Sequence, residues 1–324
     1  MDDGAKHRLN QKDLVMNILG LFSEEYEKQE TGSIWDISIS LESIIEKLKE
    51  RCNVSYKSDN WVWTQLKRYE EEIGVNLFKR TKAENPGKSM FISMYSPYIN
   101  FFQKQHLYVN EKIRVANGVF DKIQHFAEKE YKTEPIRIFL GAGTLCYHIS
   151  TIFAERSWQS NIKYRIHTNN LGALNQLIAP KVNHENIVVT MPEGKVDSVT
   201  YTIIGENNEF YKQNDFDFII QGTSCIFENG LYIESSNEKI RKEVILKQTR
   251  GHKILALTKY EFSGKALSDS EVYGSIEDYD SIVIPKKSTA STLKKNHEII
   301  FDKSKDKLIP EILNWNYEIY RVNK

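Results

Sequence analysis

The chain has 324 residues, 40% hydrophobic and 27% charged, a length that suits two modest domains and a connector better than one small core. Its 44 Lys plus Arg are matched by 44 Asp plus Glu, so no global basic field serves nucleic acid and any such partner must be met by a local excess. No apolar run approaches the roughly 18 residues of a membrane span, which speaks against a membrane protein.

The opening segment, MDDGAKHRLNQKD, is polar and lacks a secretory core. A first helix is predicted around Leu14 to Phe22. In LESIIEKLKE, residues 41–50, Leu41, Ile44, Ile45 and Leu48 form one helical stripe. After a turn through RCNVSYKSD, the segment NWVWTQLKRYEEEIG sets Val62, Leu66, Tyr69 and Ile73 on one face. Ser58 or Asp59 can cap its start and Gly74 its end. Two short amphipathic helices joined by a tight turn are the parts of a helix-turn-helix. The opposite face of the second helix carries Asn60, Thr64, Lys67 and Arg68, flanked by Trp61 and Trp63, groups suited to base edges and phosphates.

Next come two strand-like runs, VNLFKR and KSMFISM, joined by TKAENPG. From Lys79 to Lys88 there are four basic residues and one acidic one, so Lys79, Arg80, Lys82 and Lys88 would form a phosphate-touching wing. Residues 1–96 therefore read as a winged helix-turn-helix for double-stranded DNA, although Glu70, Glu71 and Glu72 weigh against it. A solvated helix face is the plain alternative.

Residues 97–133 read as a connector helix. Ile99, Phe102, His106, Val109, Ile113, Ala116, Phe120, Ile123 and Ala127 alternate by three and four, as a heptad seam does. Such a seam either pairs two chains into a homodimer or larger homo-oligomer, or packs a long helix on its own domain.

From residue 134 onward, apolar strand candidates alternate with helices. IRIFL, YRIHT, IVVT, VTYTIIG, FDFIIQG, KILALT and SIVIP alternate with LCYHISTIFAERS, NLGALNQLIA and SSNEKIRKEVILKQTR. The expected fold is α/β, a Rossmann-like and mostly parallel sheet covered by helices, with ligands at the carboxyl ends of the strands. In IRIFLGAGTLCYHIS, residues 136–150, Gly141 and Gly143 permit a tight turn, Thr144 offers a hydroxyl, and the following helix aims its first amides at the turn. Cys52, Cys146 and Cys225 are far apart and outside any metal-ligand spacing, which reads as reduced thiols of a cytoplasmic protein that needs neither metal nor cofactor.

The order GAGT, HTNN, FDFIIQGTSCIFENGLYI, LALTKYEFSGKAL resembles the sugar-phosphate-sensing domain of DeoR-family transcription regulators. That domain lies in the superfamily of ribose-5-phosphate isomerase and CoA transferases. The resemblance spans residue 134 to about 290 and also implies an N-terminal winged helix. It implies effector contacts at Gly141, Gly143, Thr144, Thr168, Asn169, Gly222 and Lys259. Leu145 stands where the family has a second threonine, and Ala256 where it has an acidic residue. NWVWTQLKR replaces the family's Arg-Arg-Asp signature.

The resulting expectation is a DNA-binding regulator, a repressor, controlled by an anionic effector such as a phosphorylated metabolite, with no catalytic residues of its own. The alternative is an isomerase or CoA-transferase-type enzyme, in which Asp217, Glu228 or Glu234 supplies the carboxylate; of these Glu228 is best placed and Asp217 opens its strand at the far end. His148 and His167 sit near the same loops. A third reading is a protein-binding module on an α/β scaffold.

Overall fold

The structure, a computed structural model, describes residues 8–28, 37–56, 58–74, 76–81, 90–95, 101–130, 134–159, 161–205, 209–262, 270–286 and 307–324. Two compact units meet in sequence between Tyr108 and Val109.

In the first unit, α1 (Gln11–Lys28), α2 (Leu41–Cys52) and α3 (Asp59–Ile73) enclose one apolar core. Leu14, Ile18 and Phe22 of α1 meet Leu41, Ile44 and Leu48 of α2 and Val62 and Leu66 of α3. The caps are local chemistry. Ser40 accepts from Ser43 N to start α2, Ser58 accepts from Trp61 N to start α3, and Gly74 ends α3 with a left-handed φ of 66°. Asn53, also left-handed, ends α2. The strands β1 (Ser38–Ser40), β2 (Phe78–Thr81) and β3 (Phe91–Met94) make an antiparallel sheet in the order β1-β3-β2. A short helix, α4 (Phe101–Lys104), follows.

The seam predicted for residues 97–133 resolves differently. Ile99 lies outside the described residues, and Phe102 and His106 do not join one helix with the rest: Tyr108 takes a left-handed φ of 55°, and α5 (Val109–Lys129) starts after it. Val115, Ala116, Val119, Phe120, Ile123 and Ala127 are buried in the core of the second unit, the second of the two arrangements the sequence allowed, a long helix packed on its own domain. The physical reason is Gly118. A Cβ there would lie 2.8 Å from both the Tyr317 ring and Val283 Cγ1, which is how closely α5 sits on the sheet. The buried stripe is wider than a two-position seam and follows the 3.6-residue period.

The second unit is α/β. Its eight-stranded sheet runs, edge to edge, β15 (Leu308–Leu313), β16 (Tyr317–Val322), β14 (Ser281–Pro285), β12 (His252–Ala256), β9 (Phe218–Gln221), β4 (Ile136–Leu140), β5 (Tyr164–Thr168) and β6 (Ile187–Thr190). The parallel part is β4, β5, β6, β9, β12 and β14. β15 and β16 extend it antiparallel. Ile138, Leu140, Ile166 and Ile220 face α5, α6 (Thr144–Arg156) and α7 (Leu171–Leu177). Phe139 and Ile219, one residue out of phase, face α8 (Glu209–Gln213) and α9 (Ser236–Gln248). This period of two, apolar on both faces, is what a doubly covered sheet requires.

β10 (Cys225–Phe227), β11 (Gly230–Ile233) and β13 (Glu271–Ser275) form a separate three-stranded sheet. β7 (Lys195–Asp197) pairs with β8 (Thr202–Ile204) as a hairpin. The run VTYTIIG, expected as a strand of the large sheet, therefore supplies β8 to this hairpin instead. No helix among the described residues is long and apolar enough to cross a membrane.

Candidate functional site

From β4 the connections lead outward through β5 to β6, and from β9 they lead the other way through β12 to β14. The neighbouring strands β4 and β9 thus flank the switch point, where loops diverge and leave a crevice. On the carboxyl ends of β5, β4, β9 and β12 stand Thr168 and Asn169, the 141–144 loop, Gly222, and Lys259, so one sheet edge gathers all the effector positions named from sequence.

The glycine loop has separate reasons for its two glycines. Gly141 N donates to Ile220 O at 2.9 Å, and a Cβ on Gly141 would stand 3.1 Å from that same oxygen. Gly143 has open space around it but a φ of 98° and ψ of 162°, backbone that side chains avoid. As N-cap of α6 it offers no side-chain acceptor to the helix's first amides. Asn170 holds the loop: its Nδ2 donates to Gly143 O at 2.9 Å, while its Oδ1 caps α7 by accepting from Ala173 N at 3.1 Å. The Thr168 hydroxyl accepts from Asn170 N at 3.1 Å and is fully buried, so it shapes the turn. Asn169, also buried, has a side-chain oxygen with no hydrogen-bond partner among the described residues.

Three buried lysines converge on this edge. Lys259 Nζ lies 3.2 Å from Glu111 Oε1, and Lys112 Nζ donates to Thr144 Oγ1 at 2.9 Å. Lys242 Nζ donates to Gly222 O at 2.7 Å and sits 5.1 Å from the Tyr273 ring centre. Burial alone would lower the Lys242 ammonium, but Tyr273 and Glu238 outweigh it and its pKa is raised. Tyr273 Oη donates to Gly222 O as well, and Tyr279 Oη donates to Gln221 Oε1 at 2.8 Å. Glu261 accepts from Thr258 N and Thr258 Oγ1, both at 2.6 Å. Burial pushes its carboxyl upward, against those bonds and the Lys112 charge. Glu111, Lys112, Asn170, Lys242 and Glu261 were not found from sequence. Asn170 adjoins the quoted Thr-Asn pair and was within reach; the others join the site only through the fold.

The carboxylates considered as enzymic groups lie elsewhere. Asp217 accepts from Arg137 N at 2.8 Å at the opposite end of its strand. Glu228 is exposed in the β10–β11 turn with φ 55°, and Glu234 is exposed beyond β11. His148 is buried with its ring against Tyr147. His167 is held by Thr190 Oγ1 at 2.7 Å and packs on Phe210 and Phe216. Burial, with Arg165 and Arg137 adding to it, pushes its pKa down to about 4. Burial pushes the Cys146 thiol up to about 12, so it is an inert core thiol. Among the described residues no group of three or more His, Cys, Asp or Glu gathers as metal ligands would.

In the first unit, Asn60, Thr64 and Arg68 are exposed on α3, and Lys79 and Arg80 are exposed on β2. The Thr64 hydroxyl donates to Asn60 O at 2.8 Å. The Trp63 ring lies 4.6 Å from Lys67 Nζ and 4.9 Å from the Arg80 guanidinium carbon, and Trp61 stacks on Tyr56. Lys67 differs from the expectation of a phosphate contact. It donates to Phe78 O at 3.0 Å and pairs with Glu70, whose other oxygen accepts from Leu77 N and Phe78 N at 2.9 and 2.7 Å. Glu70 is thereby an internal anchor of the α3–β2 turn and not part of an acidic surface. Lys82 and Lys88 lie outside the described residues.

No protein-family profile matches the chain, and no curated protein sequence does. Solved structures similar to it include ribose 5-phosphate isomerase from Plasmodium falciparum, 13% identical, covering 66% of this chain and 78% of that one at a TM-score of 0.32. Ribose 5-phosphate isomerase A from Methanocaldococcus jannaschii is 8% identical over 66% and 79% of the two chains, TM-score 0.31. The protein eIF2B delta from Chaetomium thermophilum is 12% identical over 80% and 84%, TM-score 0.33. At these scores the likeness assigns neither family nor activity.

Proposed function

We propose that the protein is a ligand-responsive, DNA-binding transcription regulator. The first unit reads duplex DNA as a winged helix, and the α/β unit takes up an anionic metabolite at the Gly141–Thr144 loop. The observation that carries the reading is the order helix, strand, helix, helix, hairpin, with sheet order β1-β3-β2. That arrangement leaves the polar face of α3 exposed beside a basic strand, as groove recognition needs. Arg68, Lys79 and Arg80 meet phosphates in this account, while Asn60, Thr64 and Trp61 stand where base edges or sugars are met. Lys67 supports the hairpin from behind. For the α/β unit, the uncapped amides of α6 favour a negative group, and Thr144, Asn169 and Lys259 surround the same strand ends.

The test is a gel shift with the duplex upstream of the coding region. Wild type retards it, Arg68→Ala and Arg80→Ala weaken retardation, and a phosphorylated sugar alters the wild-type shift. No retardation by the wild type sinks the reading.

One observation favours an enzyme instead. Glu261 is half-buried, accepts two hydrogen bonds from Thr258, and has a carboxyl that partial burial pushes upward beside the Lys112 charge, the kind of group that serves acid–base catalysis. Turnover of a sugar phosphate that disappears in Glu261→Gln would move the assignment to a sugar-phosphate isomerase type; a CoA-transferase type is not favoured, because Glu228 is exposed in a tight turn.

A further inference from the structure

Two of the lysines on the strand-end edge are held by a single turn of a single helix. Glu111, in the first turn of α5, has Oε1 3.2 Å from Lys259 Nζ, with the two side chains only 12% and 4% exposed. The next residue, Lys112, reaches Thr144 Oγ1 at 2.9 Å and is itself buried. Lys259 stands in the loop after β12, and Thr144 opens the helix after β4. One α5 turn thus bridges the two loops between which an anion would sit. Glu111 resembles such an anion chemically, being a carboxylate that meets an ammonium in a water-poor place.

Resting on the regulatory reading above, we propose that Glu111 is a built-in counter-anion for Lys259, displaced when a phosphate monoester binds, and that its displacement releases the first turn of α5. A buried ammonium without a partner is costly, so Lys259 exchanges one anion for another and is never left bare. A phosphate monoester near neutral pH carries more negative charge than a carboxylate and more acceptor oxygens, which favours the exchange. Glu111 has somewhere to go. Arg114 Nη1 already lies 3.9 Å from the same Oε1, and its side chain is 43% exposed, so the displaced carboxylate moves outward to it. Val109, where α5 begins, directly follows Tyr108, where the first unit's main segment of chain ends. A change in the first α5 turn therefore acts where the chain passes from that segment into the second unit.

Calorimetric titration of the full chain with glucose 6-phosphate and with inorganic phosphate tests this. Removing an internal competitor raises the competent fraction, so Glu111→Gln should bind about five- to tenfold more tightly than wild type, while Lys259→Met loses binding. Hydrogen exchange on the wild type gives a second readout that needs no variant to fold. Amides of residues 113–115, the first to be bonded within α5, should exchange faster with saturating glucose 6-phosphate. If wild type binds but Glu111→Gln binds no tighter, or exchange at 113–115 stays unchanged or slows, the displacement is wrong and the anion site stands. If neither wild type nor Glu111→Gln binds either probe, the displacement and the anion site fall together.

Discussion

The two units place their positive charge in opposite ways. In the first, Arg68, Lys79 and Arg80 project into solvent, while Lys67 beside them is drawn inward, to Glu70. In the second, Lys112, Lys242 and Lys259 are all buried, each next to a hydroxyl, a carbonyl or a carboxylate. Exposed cations attract a polyanion through long-range, salt-screened forces and cost nothing to keep ready. Buried ones demand internal partners, so any ligand that takes them must outcompete those partners, and selectivity arises from that competition. On the proposed function, one chain thus holds a surface suited to many phosphates and an interior edge suited to one anion.

The largest effect expected on this contrast comes from Glu70→Ala. It removes a buried carboxylate that accepts two backbone amides and pairs with Lys67, and should cost the first unit about 4 kcal/mol. Urea unfolding followed by fluorescence of Trp61 and Trp63 would show it, and a loss below 1 kcal/mol would make Glu70 a surface residue after all. Gly118→Ala comes next. With contacts of 2.8 Å awaiting its methyl on Tyr317 and Val283, it should destabilise the α/β unit by about 3 kcal/mol. Indifference to this change would put α5 off the sheet and restore a chain-pairing role to its stripe.

The third expected effect is acid sensitivity. His167 has a folded pKa near 4, below the ordinary histidine value. As pH falls from about 6.5, unfolded chains take up a proton that the folded chain refuses, so this group's stabilisation is complete above that pH. It declines to about pH 4 and then levels off; the full interval would correspond to about 3 kcal/mol, which residual solvent screening of the ring cuts to about 2 kcal/mol. His167→Gln should flatten the melting temperature over that window, and an unchanged slope would contradict the burial.

Much of the architecture was legible in the residues. Ser58, Gly74 and the alternating strands from IRIFL to SIVIP state their conformations locally, because caps and a period of two are local physics. β15 and β16 were not legible: LIPEIL and YEIYRV join the β14 edge antiparallel, a pairing that nothing nearby dictates. The α5 stripe stayed open between a chain-pairing seam and a helix packed on its own domain, because a heptad seam and a broad buried face share most of their positions; Gly118 was the residue that pointed to close packing. At the candidate site, the glycine loop and Lys259 could be named from sequence order, while Glu111 stands 148 positions from Lys259 and only the fold joins them. Lys67 looked available for the same reason that Glu70 looked acidic, since sequence spacing does not reveal that the pair closes on Phe78 O.

The central claim is tested most directly by fluorescence anisotropy of a labelled upstream duplex titrated with the full chain across a salt series. The account predicts binding that weakens steeply with salt, and a logarithmic slope shallower by about one in Lys79→Ala and again in Arg80→Ala, as each loses a phosphate contact. Absence of binding at low salt, or a slope that neither substitution changes, would contradict it.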